Sequence, residues 1–226
     1  MDFIKISYTG RIKDGEVFDT TDQALAETEG LYDKNRVYTP LSVVVGAGQV
    51  VKGLEKALEG MKVGQKKSVE VSPEQGYGPR NAELTRLVPM KVFKKQKITP
   101  IPGMPIEIDG TRGRVQTVAG GRVRVDFNHE LAGKDLVFEV KCESKASSDK
   151  DKTEFILDRS FGQAEGFDVK LTGKKLKITI PQMIRSDRNL LIRKASFTAD
   201  CFKHLKLSEV TFEEVWENPE AKKKKE

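Results

Sequence analysis

The chain has little of what most enzymes use to make and break bonds. Two histidines and two cysteines are spread over 226 residues. His129 and His204 are too few and too far apart in sequence for a metal site, so neither a metal nor a cofactor is expected. Cys142 and Cys201 lack Cys-x-x-Cys spacing and read as free thiols of a reducing cytoplasm rather than a redox pair. Long apolar runs are missing too. The longest falls far short of the roughly 20 residues that span a bilayer. Asp2, Lys5 and Arg11 interrupt any leader-like N-terminus, so no membrane partner is expected. Charge is abundant but nearly balanced: of the net +6, four positive charges sit at Lys222–Lys225. That run reads as a solvated, disordered tail, and nucleic-acid binding is not forced by charge.

What the chain does have is glycine-punctuated strands. Val43–Lys66 is the most telling stretch: an apolar strand, a turn at Gly46 and Gly48, then a short helix. Val51, Leu54 and Leu58 share one face of that helix. Gly60 falls where a left-handed C-cap is expected, and Gly64 turns the chain into an alternating strand, Ser68–Ser72. A helix laid across short strands makes an apolar concavity, and no nucleophile or phosphate loop accompanies it. The combination points to a protein that buries a peptide.

Length allows one large domain or two to three small ones. Asp14-Gly15 predicts a hairpin between strands containing Phe3–Tyr8 and Phe18–Thr20. Residues 21–39 read as a long polar surface loop. From 84 to 130 the character changes: Lys91, Lys94, Lys95 and Lys97 form a solvated rim around Val92 and Phe93, and Gly113–Val118 and Arg122–Phe127 flank a Gly120-Gly121 turn. This is a small β-rich insert, marginal by itself at this size. Leu136–Val140 is a returning strand and 144–152 a linker. Beyond it, Phe155–Leu157 and Leu176–Ile180 suggest strands. Asp187 is placed to cap a helix with Leu190, Leu191 and Lys194. Thr211–Glu214 fits a capping box for a helix carrying Phe212, Val215 and Trp216.

Several of these pieces together resemble a known family. Tyr8-Thr9-Gly10, Gly15 with Val17-Phe18-Asp19, Gly46–Gly60, Val63-Gly64, Tyr77-Gly78 and Leu136–Val140 are similar to FKBP-type peptidyl-prolyl cis-trans isomerases. An insert at the flap resembles the SlyD-like and long archaeal members, and Asn128–Lys134 resembles the motif closing it. The resemblance implies an α+β fold: an antiparallel half-barrel sheet wrapped on a short helix (1–83 with 131–148). It also implies an insert-in-flap chaperone domain (84–130) and a C-terminal α/β domain (149–226). The implied activity is isomerisation of X-Pro bonds in folding proteins, with unfolded polypeptides and X-Pro peptides as partners.

The implied proline pocket comprises Tyr8, Phe18, Asp19, Leu41, Val50, Val51, Leu54, Tyr77 and Phe138. Leu54 is its floor, where the family often has Trp, and Leu41 stands where many members have Phe. Asp19 and Tyr77 are expected to hydrogen-bond the substrate. The histidine-rich tail of some SlyD-type proteins is absent, so nickel delivery does not carry over. In the insert, apolar residues from Leu87 to Ile106 are split between a small core and a surface for unfolded chains. The rival reading is a non-catalytic holdase with a degenerate pocket, supported by Leu54 and Leu41. For residues 149–226 two roles stay open: homodimerisation, or docking on a ribosome or nucleic acid.

Overall fold

The computed structural model describes residues 2–216; the lysine run 222–225 lies outside them. The strand β1 (Phe3–Ile12) turns at Asp14-Gly15 into β2 (Val17–Thr20). Asp14 takes a positive φ of 56° there, and the Gly15 N–H returns to the Ile12 carbonyl at 2.9 Å. The stretch read as a loop then contains α1 (Gln23–Thr28), capped by the Asp22 side chain. One buried residue, Ala26, anchors it; six residues are too few for a period to show in sequence.

Next come β3 (Leu41–Val44), α2 (Lys52–Leu58) and β4 (Lys66–Val71). The segment from 84 to 130 holds β5 (Thr85–Pro89), α3 (Met90–Lys95), β6 (Pro105–Ile108), β7 (Thr111–Ala119) and β8 (Arg122–Asp126). β9 (Leu136–Lys145) then returns to the first sheet. That sheet is antiparallel, five-stranded, in the order β2-β1-β9-β4, with β3 pairing beside β2 on β1. α2 fills its concave side through Leu54 and Leu58, against Ile6, Val71, Leu136 and Val140. Gly53 permits the contact, because a Cβ there would fall 2.8 Å from Val71.

The insert is an antiparallel sheet in the order β5-β8-β7-β6. Its core of Phe93, Ile106, Val115, Val123 and Val125 is its own. Phe93 reaches it from α3, so the lysine-rich stretch is a helix whose lysines are exposed.

Beyond β9 the sequence expectations need correction. No long linker exists: β9 runs to Lys145, and α4 (Asp149–Phe161) begins at a Ser148/Asp151 capping box. The Ser/Asp/Lys composition was a cap signal, not a spacer. Phe155, Ile156 and Leu157 lie in α4, not a strand; all three are buried because the helix is covered on several sides. β10 (Asp168–Thr172) and β11 (Lys175–Thr179) form a hairpin. α5 (Leu190–Asp200) is preceded by Asn189, whose N–H donates to Asp187 Oδ1 at 2.8 Å, so Asp187 shapes the turn instead of capping the helix. The expected final helix is β12 (Glu209–Glu213), paired in parallel with β11. Long-range pairing of Val210 and Phe212 overrides the local box. Among the described residues the C-terminal unit is thus a mixed three-stranded sheet with two α-helices. Its core takes in Phe3 and Val44 of the first sheet.

Candidate active site

Gly10 explains how the aromatic cluster assembles. A Cβ at this point of β1 would sit 2.7 Å from Phe18 and 3.0 Å from Phe138, so only glycine lets both rings close over the strand. Phe18 meets Phe138 edge-on, centroids 5.7 Å apart, and Tyr8 leans on Phe138 at 6.4 Å. Leu54 is 2% exposed beneath them, with Val50 and Val51 packed alongside from the turn before α2. That turn is pinned by Glu55 Oε1, which accepts from the N–H groups of Gly46 (3.0 Å) and Gly48 (2.8 Å).

The polar side of the cluster centres on Asp19. The Tyr8 hydroxyl donates to Asp19 Oδ2, and Arg36 Nη1 donates to Oδ1 at 2.7 Å. Burial, then the Asp19 hydrogen bond, pushes the Tyr8 phenol well above its ordinary range. Arg36 lies 5.2 Å over the Tyr38 ring, which stacks on Tyr32. Tyr77 is 39% exposed. Its phenol is also raised, by burial and then by the Asp19 charge, so it remains a hydrogen-bond donor at neutral pH. The Tyr77 ring stacks on His129 with centroids 4.2 Å apart and planes 6° from parallel. His129 Nδ1 in turn accepts the Leu131 N–H at 3.1 Å.

The structure therefore gathers Tyr8, Phe18, Val50, Val51, Leu54 and Phe138 into one cluster, with Asp19 bonded to it; Tyr77 is stacked on His129. Leu41, 38% exposed at the start of β3, pairs with Ile6 of the cluster and lines a concavity together with Tyr8. Asp19 is engaged by Tyr8 and Arg36 rather than left open.

Sequence reasoning missed Arg36 and His129. Arg36 sat in a stretch with no periodicity, where only the nearby Tyr32 and Tyr38 hinted at order. His129 was weighed only as a metal ligand. His204, the other histidine, packs edge-on against Phe3 at 6.1 Å, far from any second histidine. Among the described residues no group of three or more His, Cys, Asp or Glu is placed to hold a metal ion.

The family model for FKBP-type peptidyl-prolyl cis-trans isomerases matches residues 1–94. The short-type peptidyl-prolyl cis-trans isomerase of Methanocaldococcus jannaschii is 38% identical over 140 residues, covering 62% of this chain and 88% of that protein. This chain belongs to the FKBP-type peptidyl-prolyl cis-trans isomerases. Two further family models match its other parts: FKBP26, IF domain, over 86–131, and FKBP26_C-terminal over 149–217. The FKBP-type isomerase SlyD of Haemophilus influenzae is 37% identical over 142 residues, 61% of this chain and 67% of that one. SlyD of Vibrio cholerae is 33% identical over 134 residues, 58% and 66% of the two chains.

Proposed function

We propose that an X-Pro bond binds over Leu54, with the proline ring among Tyr8, Phe18, Val50, Val51 and Phe138. Rotation about the amide is slow because resonance sets a barrier of ~18–20 kcal/mol. Twisting breaks that resonance and moves electron density from carbonyl oxygen to nitrogen. An apolar pocket withholds the water that favours the planar, more polar form, and each ~1.4 kcal/mol of barrier removed gives about tenfold. Tyr77, kept protonated, is the donor available to the substrate backbone. Asp19 orients the Tyr8 hydroxyl, with Arg36 holding the carboxylate. The observation carrying this reading is the Phe18–Phe138–Leu54 cluster capped by the Tyr8–Asp19 pair.

In this reading the chain works as three units: 1–83 with 131–148, 84–130, and 149–226. Leu87, Ile101 and Val118 of the insert are exposed, which suits loose capture of unfolded segments. Tethered capture raises the effective concentration of X-Pro bonds at the pocket. Leu191, Ile192 and Met183 are exposed on the C-terminal unit and support a homodimer through it. Among the described residues no helix is long and apolar enough to cross a membrane. Buried Cys142 and Cys201, both free, support a cytoplasmic setting.

NMR exchange on an Ala-Pro or Phe-Pro peptide is the direct test. Acceleration at micromolar protein is expected; none would favour the holdase reading. Deleting 84–130 should reduce catalysed protein refolding much more than peptide exchange. Equal losses would refute the coupling. Sedimentation with and without 149–226 tests the dimer.

A further inference from the structure

A concavity of about 480 Å³ opens beside the proline site, within the size range of ligand pockets. One wall is the segment from Asn35 to Ser42, where Val37, Pro40 and Leu41 supply apolar surface. The facing wall is the end of α4, with Arg159 and Phe161, joined by Arg193 of α5. Both walls are held in place. Ser42 Oγ donates to Asp158 at 2.9 Å, Lys5 Nζ pairs with the same carboxylate at 2.9 Å, and Arg193 Nη1 donates to the Ser160 carbonyl at 2.9 Å.

The groove is continuous with the candidate active site. Tyr8 and Arg36 line it, and the same two side chains meet on Asp19. Leu41, paired with Ile6 on β1, is a groove residue. The lining carries three arginines and one acid, Asp158; Asp158 is paired with Lys5, and Arg36, Arg159 and Arg193 are each paired in turn, with Asp19, Asp200 and Asp187.

We propose that this groove is an extended substrate subsite. The chain flanking a bound X-Pro bond runs between the Asn35–Ser42 segment and α4, where the guanidinium N–H groups outside those ion pairs favour aspartate or glutamate in the flank. The inference rests on the proline pocket being where it was placed above. It makes the C-terminal unit part of substrate recognition, because α4 and α5 supply the far wall. Leu41 then contacts the flank, not the proline ring.

The test uses the full chain and three peptides sharing one X-Pro core: a short one, one extended with glutamate-containing flanks, and one with lysine-containing flanks. Exchange rates and Kd are measured for each at low and high salt. The glutamate-flanked peptide is expected to have kcat/KM about threefold above the lysine-flanked one at low salt, converging at high salt. Arg159→Glu is expected to invert that preference. Arg159 also pairs with Asp200 at 2.9 Å, but a damaged fold would weaken both peptides, whereas a gain on the lysine peptide reports the groove. Equal rates and equal Kd for the two long peptides, or a uniform loss in Arg159→Glu, would overturn the proposal. Charge-dependent Kd with no acceleration of any peptide would keep the groove and overturn the isomerase reading instead.

Discussion

The insert and the C-terminal unit are both additions to the same sheet, yet they are attached by opposite means. The C-terminal core includes Phe3 and Val44, the residues at one corner of the isomerase sheet, with Phe155, Leu157 and Phe197 packed in the same cluster. The insert's core shares no apolar residue with that sheet: every side chain in it comes from 88–127. Its attachment is polar. Asn81 N–H donates to Asn128 Oδ1 at 2.8 Å, Asn128 Nδ2 returns to the Asn81 carbonyl at 2.9 Å, and Arg80 pairs with the buried Asp126. An apolar seam fixes one unit as a wall of the molecule. Directional hydrogen bonds and one ion pair hold the other at its two chain crossings.

Single core truncations should break or keep this contrast most visibly. Phe3→Ala should cost about 3–5 kcal/mol and lower isomerase sheet and C-terminal unit in one calorimetric transition. Phe93→Ala, a similar loss in volume, should unfold the insert alone; a matching fall in protection of β1 and β9 amides by hydrogen exchange would erase the distinction.

At the hinge, Asn128→Ala removes two bonds to the exposed Asn81 backbone and should cost about 0.5–1.5 kcal/mol locally. Faster exchange at Asn81 and slower catalysed protein refolding are expected, with short-peptide exchange retained. An unchanged refolding rate would show that the insert's orientation is set elsewhere.

His129 ties the returning hinge to Tyr77, so it is a positioning residue. His129→Ala should lower short-peptide kcat/KM by about two- to fivefold, and His129→Phe should restore it by restoring the stack. A purely structural role would show as lost stability without that rescue.

The smallest effect is at alkaline pH. Burial pushes the Cys201 thiol from its ordinary 9.0 to about 12, and burial with Asp19 raises Tyr8 above its ordinary 10.0. In each case the unfolded chain loses its proton first, so stability falls as pH rises, from about 9 to about 12 for Cys201 and above 10 for Tyr8. Cys201→Ala should flatten the first part of that decline in pH-dependent melts and leave the Tyr8 part, dividing the titration between the C-terminal core and the isomerase sheet.

Local patterns went far in the first half of the chain. Asp14-Gly15 demanded its hairpin, Leu54 and Leu58 their shared helix face (Val51, expected on it, is the extended residue just before α2), and Leu136–Val140 a returning strand, because turn chemistry and side-chain period act within a few residues. They misled where partners lay far off. Thr211–Glu214 carries a helix cap in its letters and forms a strand because β11 waits with open hydrogen-bonding groups. Phe155–Leu157 looks like a buried strand and is a helix covered on several sides. Arg36 and His129 gained their places only through Asp19 and Tyr77, residues brought near by the fold.

The sequence by itself determined the family, the glycine turns and the side chains available to a proline-sized pocket. Tertiary structure decided which of them meet, that Leu41 faces a second groove, and that one appended unit is fused while the other is hinged. The reason is physical: turns and periods are set by near neighbours, but a core or an ion pair depends on contacts between residues remote in the chain, and only folding chooses among them.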